Sequence, residues 1–77
     1  MSREEKLYIK GRIAELKSKL KQLEIVIENK LIQLRLKLDP SLEPDELEAE
    51  KIKALATELA EDIREFKITK QKIKELE

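Results

Sequence analysis

The chain has 77 residues, of which 44% are charged, and its 17 basic and 17 acidic residues leave no net charge at pH 7. Because the sequence contains neither cysteine nor histidine, disulfide frameworks, zinc fingers, thiol redox chemistry and imidazole catalysis are excluded. The length fits one small domain, residues 1–77, and we expect a protein that is not an enzyme and binds no cofactor or metal.

The first six residues are polar and lack the apolar core of a signal peptide. No apolar run approaches the roughly 20 residues that a membrane-spanning helix needs. We therefore expect a soluble, cytoplasmic protein without a membrane partner. We also expect the polar start of the chain to be frayed.

A long first helix is predicted over residues 4–38. At ~100° per residue, one set of apolar residues falls on a single face of this helix. The set consists of Ile9, Ile13, Leu16, Leu20, Leu23, Ile27, Leu31, Leu34 and Leu38. Its spacing of three and four residues is typical of coiled coils, so this face should pack along a neighbouring helix.

A second set of residues, without any charge, lies on the opposite face of the same helix. We call it the second stripe: Leu7, Gly11, Ala14, Ser18, Gln22, Ile25, Asn29, Ile32 and Leu36. In a chain so rich in charge, an uncharged face indicates a second packing partner. Gly11 costs ~1 kcal/mol relative to alanine inside a helix. Its position on the second stripe favours the close approach of another backbone.

The predicted connector spans residues 39–44, because Asp39 precedes Pro40 and a residue before proline avoids the helical conformation. Pro44 suits the first turn of a second helix, predicted over residues 44–76. Its apolar face comprises Ala49, Ile52, Ala56, Leu59, Ile63, Phe66, Lys70 and Ile73. We expect the Lys70 ammonium group to reach water along its aliphatic stem.

The opposite side of this second helix should mostly face water. It carries several carboxylates: Glu50, Glu58, Glu61, Asp62 and Glu65. Inward glutamates bind metals in some four-helix bundles, but that chemistry also uses histidine, which is missing here. A solvated face is therefore the preferred interpretation.

A connector this short makes the two helices antiparallel neighbours, with Leu34 facing Ile52 and Leu16 facing Lys70. The predicted fold is all-α: a long, coiled-coil-like antiparallel hairpin. A lone hairpin leaves its apolar residues half exposed, so we predict that two copies form a homodimeric antiparallel four-helix bundle through the second stripe. Gly11 would then meet Ile32 of the other copy, so that small residues face large ones.

Two polar residues lie within the second stripe. Gln22 would be near the two-fold axis of the dimer, and Asn29 would face the small residue Ala14. Such residues can fix the register of a helical interface at some loss of stability. They can equally lie at a wet seam, and both interpretations stay open.

The leading functional hypothesis is a non-catalytic homo-oligomeric interaction protein, a scaffold or adaptor that acts through the surface of its bundle. A second hypothesis is a small dimeric regulator that binds nucleic acid through basic ends. The residues concerned are Arg3, Lys6, Lys10, Arg12, Lys17, Lys67, Lys70, Lys72 and Lys74. Interspersed acids and the scarcity of aromatic residues for base stacking disfavour it. A third hypothesis makes the hairpin one half of a complex with a different protein.

Overall fold

The computed structural model describes residues 2–77 and forms a hairpin of two long helices. Helix α1 spans Arg3–Lys37 and helix α2 spans Ala49–Leu76. They pack against each other along their length, giving a rod of 63 × 15 × 14 Å. The predicted all-helical class and the two-helix hairpin are confirmed. Within residues 2–77, neither helix has an apolar stretch sufficient to cross a membrane.

Helix α1 begins with a capping box. The Ser2 hydroxyl accepts a hydrogen bond from the Glu5 backbone N–H at 3.2 Å, and the Glu5 carboxylate accepts one from the Ser2 N–H at 3.4 Å. These two bonds satisfy amide groups that a helix start leaves without partners. Residues 3–6 are helical, so the prediction of a frayed start is wrong for them. The same prediction for Met1 lies outside the described residues.

The connector between the helices contains more local structure than predicted. Helix α1 ends at Lys37, and the Asp39 carboxylate accepts a hydrogen bond from the Ser41 N–H at 2.9 Å. Residues Pro44–Glu46 form a single 3-10 turn. Leu47 follows in an extended conformation, with φ −74° and ψ 133°. Because an extended residue cannot continue a helix, α2 starts at Ala49, and the predicted start at Pro44 is wrong.

The residues of α2 that pack against α1 differ from the predicted set at every second position along this face. The prediction placed Ile52, Leu59, Phe66 and Ile73 on this face correctly, and each is buried or partly buried. Between them, the chain covers Leu55, Asp62, Thr69 and Leu76. Ala56 and Lys70, which were predicted to fill such layers, are exposed.

The burial of Thr69 in place of Lys70 is the clearest difference between the observed face and the predicted one. Thr69 is 1% exposed, and Leu16 of α1 is 3% exposed, so the predicted pairing of Leu16 with Lys70 is wrong. Both faces follow the same heptad spacing, but the observed one covers Leu55 in place of the smaller Ala56. It also keeps the Lys70 ammonium group out of the helix interface. The charged Asp62, which it partly buries, is paired with Lys30, and burying a charge is costly unless it is paired.

Candidate interaction surface

The second stripe is an exposed face of α1, on the side of the helix turned away from α2. All nine of its residues are exposed in the single chain. More than half of the surface of each large apolar residue is exposed: Leu36 is 69% exposed, Leu7 is 61%, and Ile25 and Ile32 are 56% each. Scattered apolar residues are ordinary on a protein surface, but an uncharged helix face that exposes several large apolar side chains indicates an interaction site.

Side-chain size is unevenly distributed along the second stripe. Gly11, Ala14 and Ser18 lie in its N-terminal half, whereas Ile25, Ile32 and Leu36 lie in its C-terminal half. A methyl group added at Gly11 would meet no atom within 4 Å. Contacts within the hairpin therefore do not require glycine at this position, although glycine weakens a helix.

The hairpin exposes more surface than a compact protein of its mass. Its accessible area is 6397 Å², whereas a folded monomer of 9.1 kDa exposes about 4,900 Å². The excess is roughly 1,500 Å² per chain by that comparison. A standard protein interface removes about 800 Å² from each partner. The excess area is thus about what two such interfaces would cover.

Ion pairs between α1 and α2 lie along one long side of the interface between the helices. Every one of them joins a lysine of α1 to a carboxylate at or within α2: Lys19 to Glu65, Lys30 to Asp62 and Glu58, and Lys37 to Glu48. The Lys37–Glu48 distance is 3.3 Å and the Lys30–Glu58 distance is 3.7 Å. We call this side of the rod the paired edge.

Of the carboxylates predicted to face water, Glu50, Glu58 and Glu61 are exposed, but Asp62 and Glu65 are partly buried against α1 at the paired edge. The hydrogen bond to Asp62 raises the pKa of Lys30. The hydrogen bond from Lys19 lowers the pKa of Glu65. Glu48 has a lowered pKa because Lys51 and Lys37 both donate to its carboxylate. Within residues 2–77, no cluster of acidic side chains is arranged to hold a metal ion.

The other long edge of the interface is open. An apolar hollow of about 370 Å³ lies between the helices, lined by the partly buried side chains of Ile27, Ile63 and Phe66. Glu24 and Glu28 of α1 border it on one side, and Lys67 and Lys70 of α2 border it on the other. Among the ion pairs of residues 2–77, none involves these four charged side chains. We call this side the open edge.

The predicted basic residues are spread along the rod and do not gather at one end: Arg3 and Lys6 lie in the first turns of α1, whereas Lys67 and Lys70 border the hollow of the open edge. Lys17 and Glu77 are 3.3 Å apart, which joins the end of α2 to a position near the middle of α1. All nine basic side chains are exposed. Lys17 is paired with Glu77, and Arg12 is paired with Glu15 at 3.5 Å, so part of this positive charge is neutralised within the chain.

Sequence reasoning found the second stripe but missed both edges, and it grouped Lys67 and Lys70 with the basic residues of the α1 start although they border the hollow. The open edge depends on how α2 is rotated, and Ile63 and Lys70 had been assigned to the helix interface. The paired edge had a detectable signal, because an antiparallel alignment already brings lysines of α1 level with carboxylates of α2. No protein-family model, curated protein or solved structure matches this chain.

Proposed function

We propose that this chain is a non-catalytic interaction protein that assembles with copies of itself through the second stripe. The observation that carries the proposal is the exposure of Ile25, Ile32 and Leu36 along a face of α1 that α2 leaves uncovered. Covering such side chains with another apolar surface is favourable by about 25 cal/mol per Å². The assembled hairpins then act as a scaffold or adaptor.

The proposed contact is an antiparallel pairing of two α1 helices about a two-fold axis near Gln22. The small half of each second stripe then lies against the large half of the other, with Gly11 meeting Ile32. A parallel pairing would place small residues on small residues and leave voids, which cost stability. The antiparallel pairing also places the basic start of α1 in one hairpin beside the acidic connector of the other, which is electrostatically favourable. Together the two hairpins supply four helices.

The test is a pair of matched substitutions, Ile32→Glu and Ile68→Glu. Ile32 lies in the second stripe and is 56% exposed, whereas Ile68 lies on the outer face of α2 and is 49% exposed. Ile32→Glu is expected to lower the mass of the assembly in light scattering at least twofold, because a desolvated carboxylate would face apolar side chains. Ile68→Glu should leave the mass unchanged.

An Ile32→Glu chain with the same mass as the wild type would contradict the proposal. So would a loss of mass caused by Ile68→Glu alone. A wild-type chain that is already a single hairpin would instead favour the hypothesis that the second stripe serves a different protein.

Nucleic-acid binding is the second candidate, and the observation in its favour is that all nine of the predicted basic side chains are exposed. Phosphate contacts release counterions, so binding should weaken steeply as salt increases. Fluorescence polarisation with labelled RNA and DNA at low and moderate salt decides the matter. No binding at low salt eliminates this candidate.

A further inference from the structure

We infer that the open edge is a second self-association surface, on which two hairpins pack side by side with their connectors at the same end. This contact is separate from the second stripe. The open edge lies along the interface of α1 with α2, whereas the second stripe lies on the far side of α1. One chain can therefore engage both at once.

The hollow gives this surface its apolar centre. Ile27, Ile63 and Phe66 are only partly buried by the two helices of their own chain. An identical surface placed over the hollow would cover them from the remaining side. Packing of this kind turns a two-helix layer into a four-helix core, in which apolar side chains are enclosed by helices on all sides.

Charge decides which partner fits this surface. The acidic border, Glu24 and Glu28, belongs to α1, and the basic border, Lys67 and Lys70, belongs to α2. All four line the same hollow and so lie at similar heights along the rod. A two-fold axis parallel to the rod exchanges the borders, bringing each acidic border against the basic border of the other copy. The surface is therefore complementary to itself.

The same geometry excludes the alternative two-fold axis, perpendicular to the rod. That axis would place α1 on α1 and α2 on α2, so that Glu24 and Glu28 would face the same residues of the other copy. Like charges placed together at an interface are unfavourable. In the inferred arrangement each helix instead has only antiparallel neighbours.

The paired edge cannot form such a contact equally well. Its lysines are already joined to Asp62, Glu58, Glu65 and Glu48 within the chain, whereas the charges of the open edge have no such partners among residues 2–77. The surface excess of the chain, about 1,500 Å² against about 800 Å² per standard interface, leaves area for this contact beside the second stripe.

The test uses charge reversal in chains that also carry Ile32→Glu, so that the second stripe no longer contributes. One variant has Glu24→Lys with Glu28→Lys, and the other has Lys67→Glu with Lys70→Glu. Each variant alone places like charges at both borders of a pair. The first variant has two basic borders and the second has two acidic borders. In a mixture of the two, a pair with one chain of each kind therefore brings opposite charges together between the chains, although each chain still has like charges at its own two borders. Labelling one variant with ¹⁵N lets native mass spectrometry distinguish mixed pairs from like pairs, and circular dichroism reports helix content.

With its natural charges, the Ile32→Glu chain is expected to form pairs. Each reversed variant alone should pair at least tenfold more weakly, and the mixture should regain pairs that contain one chain of each kind. If the separate variants are unfolded, the mixture should regain helix content together with mixed pairs. A single-chain mass for Ile32→Glu with its natural charges overturns the inference. A mixture that forms no mixed pairs also overturns it, whatever becomes of the second stripe.

Discussion

Leu16, Leu59 and Ile73 are the apolar side chains that the two helices bury almost completely in the described chain. Large side chains at such positions fill space that a smaller residue would leave as a cavity. Most other apolar residues of the interface are only partly covered, since each helix has a single neighbour within the chain. The stability contributed inside one hairpin is therefore concentrated in a few residues.

Leu16→Ala is expected to lower the free energy of unfolding by about 2 to 5 kcal/mol, the usual cost of this truncation at a buried site. Ile68→Ala is the control, because Ile68 is 49% exposed and its truncation should change stability by less than about 1 kcal/mol. Urea unfolding at one fixed chain concentration measures both. Equal effects of the two substitutions would contradict the burial pattern.

Two substitutions at Gly11 distinguish the stability of a single hairpin from the strength of self-association. Because a methyl group at this position meets nothing within 4 Å, Gly11→Ala should stabilise the helix by roughly 0.5 to 1 kcal/mol. Gly11→Leu should keep the helix but weaken self-association, since leucine would collide with the large residues of the facing second stripe. Sedimentation equilibrium measures the dissociation constant.

Ala54→Leu, on an exposed position of α2, is the control for Gly11→Leu. It makes a comparable increase in size away from the second stripe and should leave the dissociation constant unchanged. If Gly11→Leu associates as tightly as the wild type, the close approach at Gly11 is refuted.

At the scale of the helices, the paired edge holds α1 and α2 in one rotational setting. The pKa values of Glu48 and Glu65 lie below their ordinary value of 4.5 because lysines donate to these carboxylates. A carboxylate with a lowered pKa in the folded state stabilises that state above its unfolded pKa, and this contribution disappears as pH falls through the lowered value. Lys30 behaves in the opposite sense: its raised pKa means that its contribution disappears only above 10.5.

Glu65→Gln is therefore expected to lower the thermal midpoint at pH 7 and to have little effect at pH 3. Thermal unfolding followed by circular dichroism at both pH values makes the comparison. The shift should be small, because the pair is partly exposed and screened by solvent. A difference that grows toward acid pH would show that Lys19 does not stabilise this carboxylate.

The sequence predicted the helices better than their relative rotation. The interface residues of α1 follow the predicted apolar stripe from Ile9 to Leu34 except at Leu31. Leu31 and Leu38 were assigned to this face wrongly, because they are 37% and 51% exposed. Lys30 and Lys37 are partly buried in their place.

In α2, two faces share Ile52 and Leu59 and have identical spacing, so periodicity alone cannot choose between them. The choice depends on three-dimensional packing and on the pairing of Asp62 with Lys30. The open edge could not be predicted for the same reason.

Two local features of the helix boundaries illustrate what short motifs can add. Ser2 and Glu5 have the spacing of a capping box, which would have placed the start of α1 correctly. The turn at Pro44 was harder to interpret, because proline in a first turn is compatible with both an α-helix and a 3-10 turn. The extended conformation of Leu47 decides between them, and no single residue type requires it.

At the scale of the whole molecule, the rod is only 15 × 14 Å across, because it consists of a single pair of long helices. Such a shape cannot enclose a dry core of its own. The second stripe and the open edge are two places where apolar side chains remain exposed or only partly covered, and we propose that each packs against a second copy of the chain. We therefore propose that self-association is part of the folded state of this protein.

The mass of the isolated wild-type chain in solution tests this claim most directly. Light scattering coupled to gel filtration, at tens of micromolar chain, should give at least twice the single-chain mass of 9.1 kDa, together with a highly helical circular dichroism spectrum. A stable, fully helical species of 9.1 kDa would contradict the account, because Ile25, Ile32 and Leu36 would then remain in contact with water without a partner.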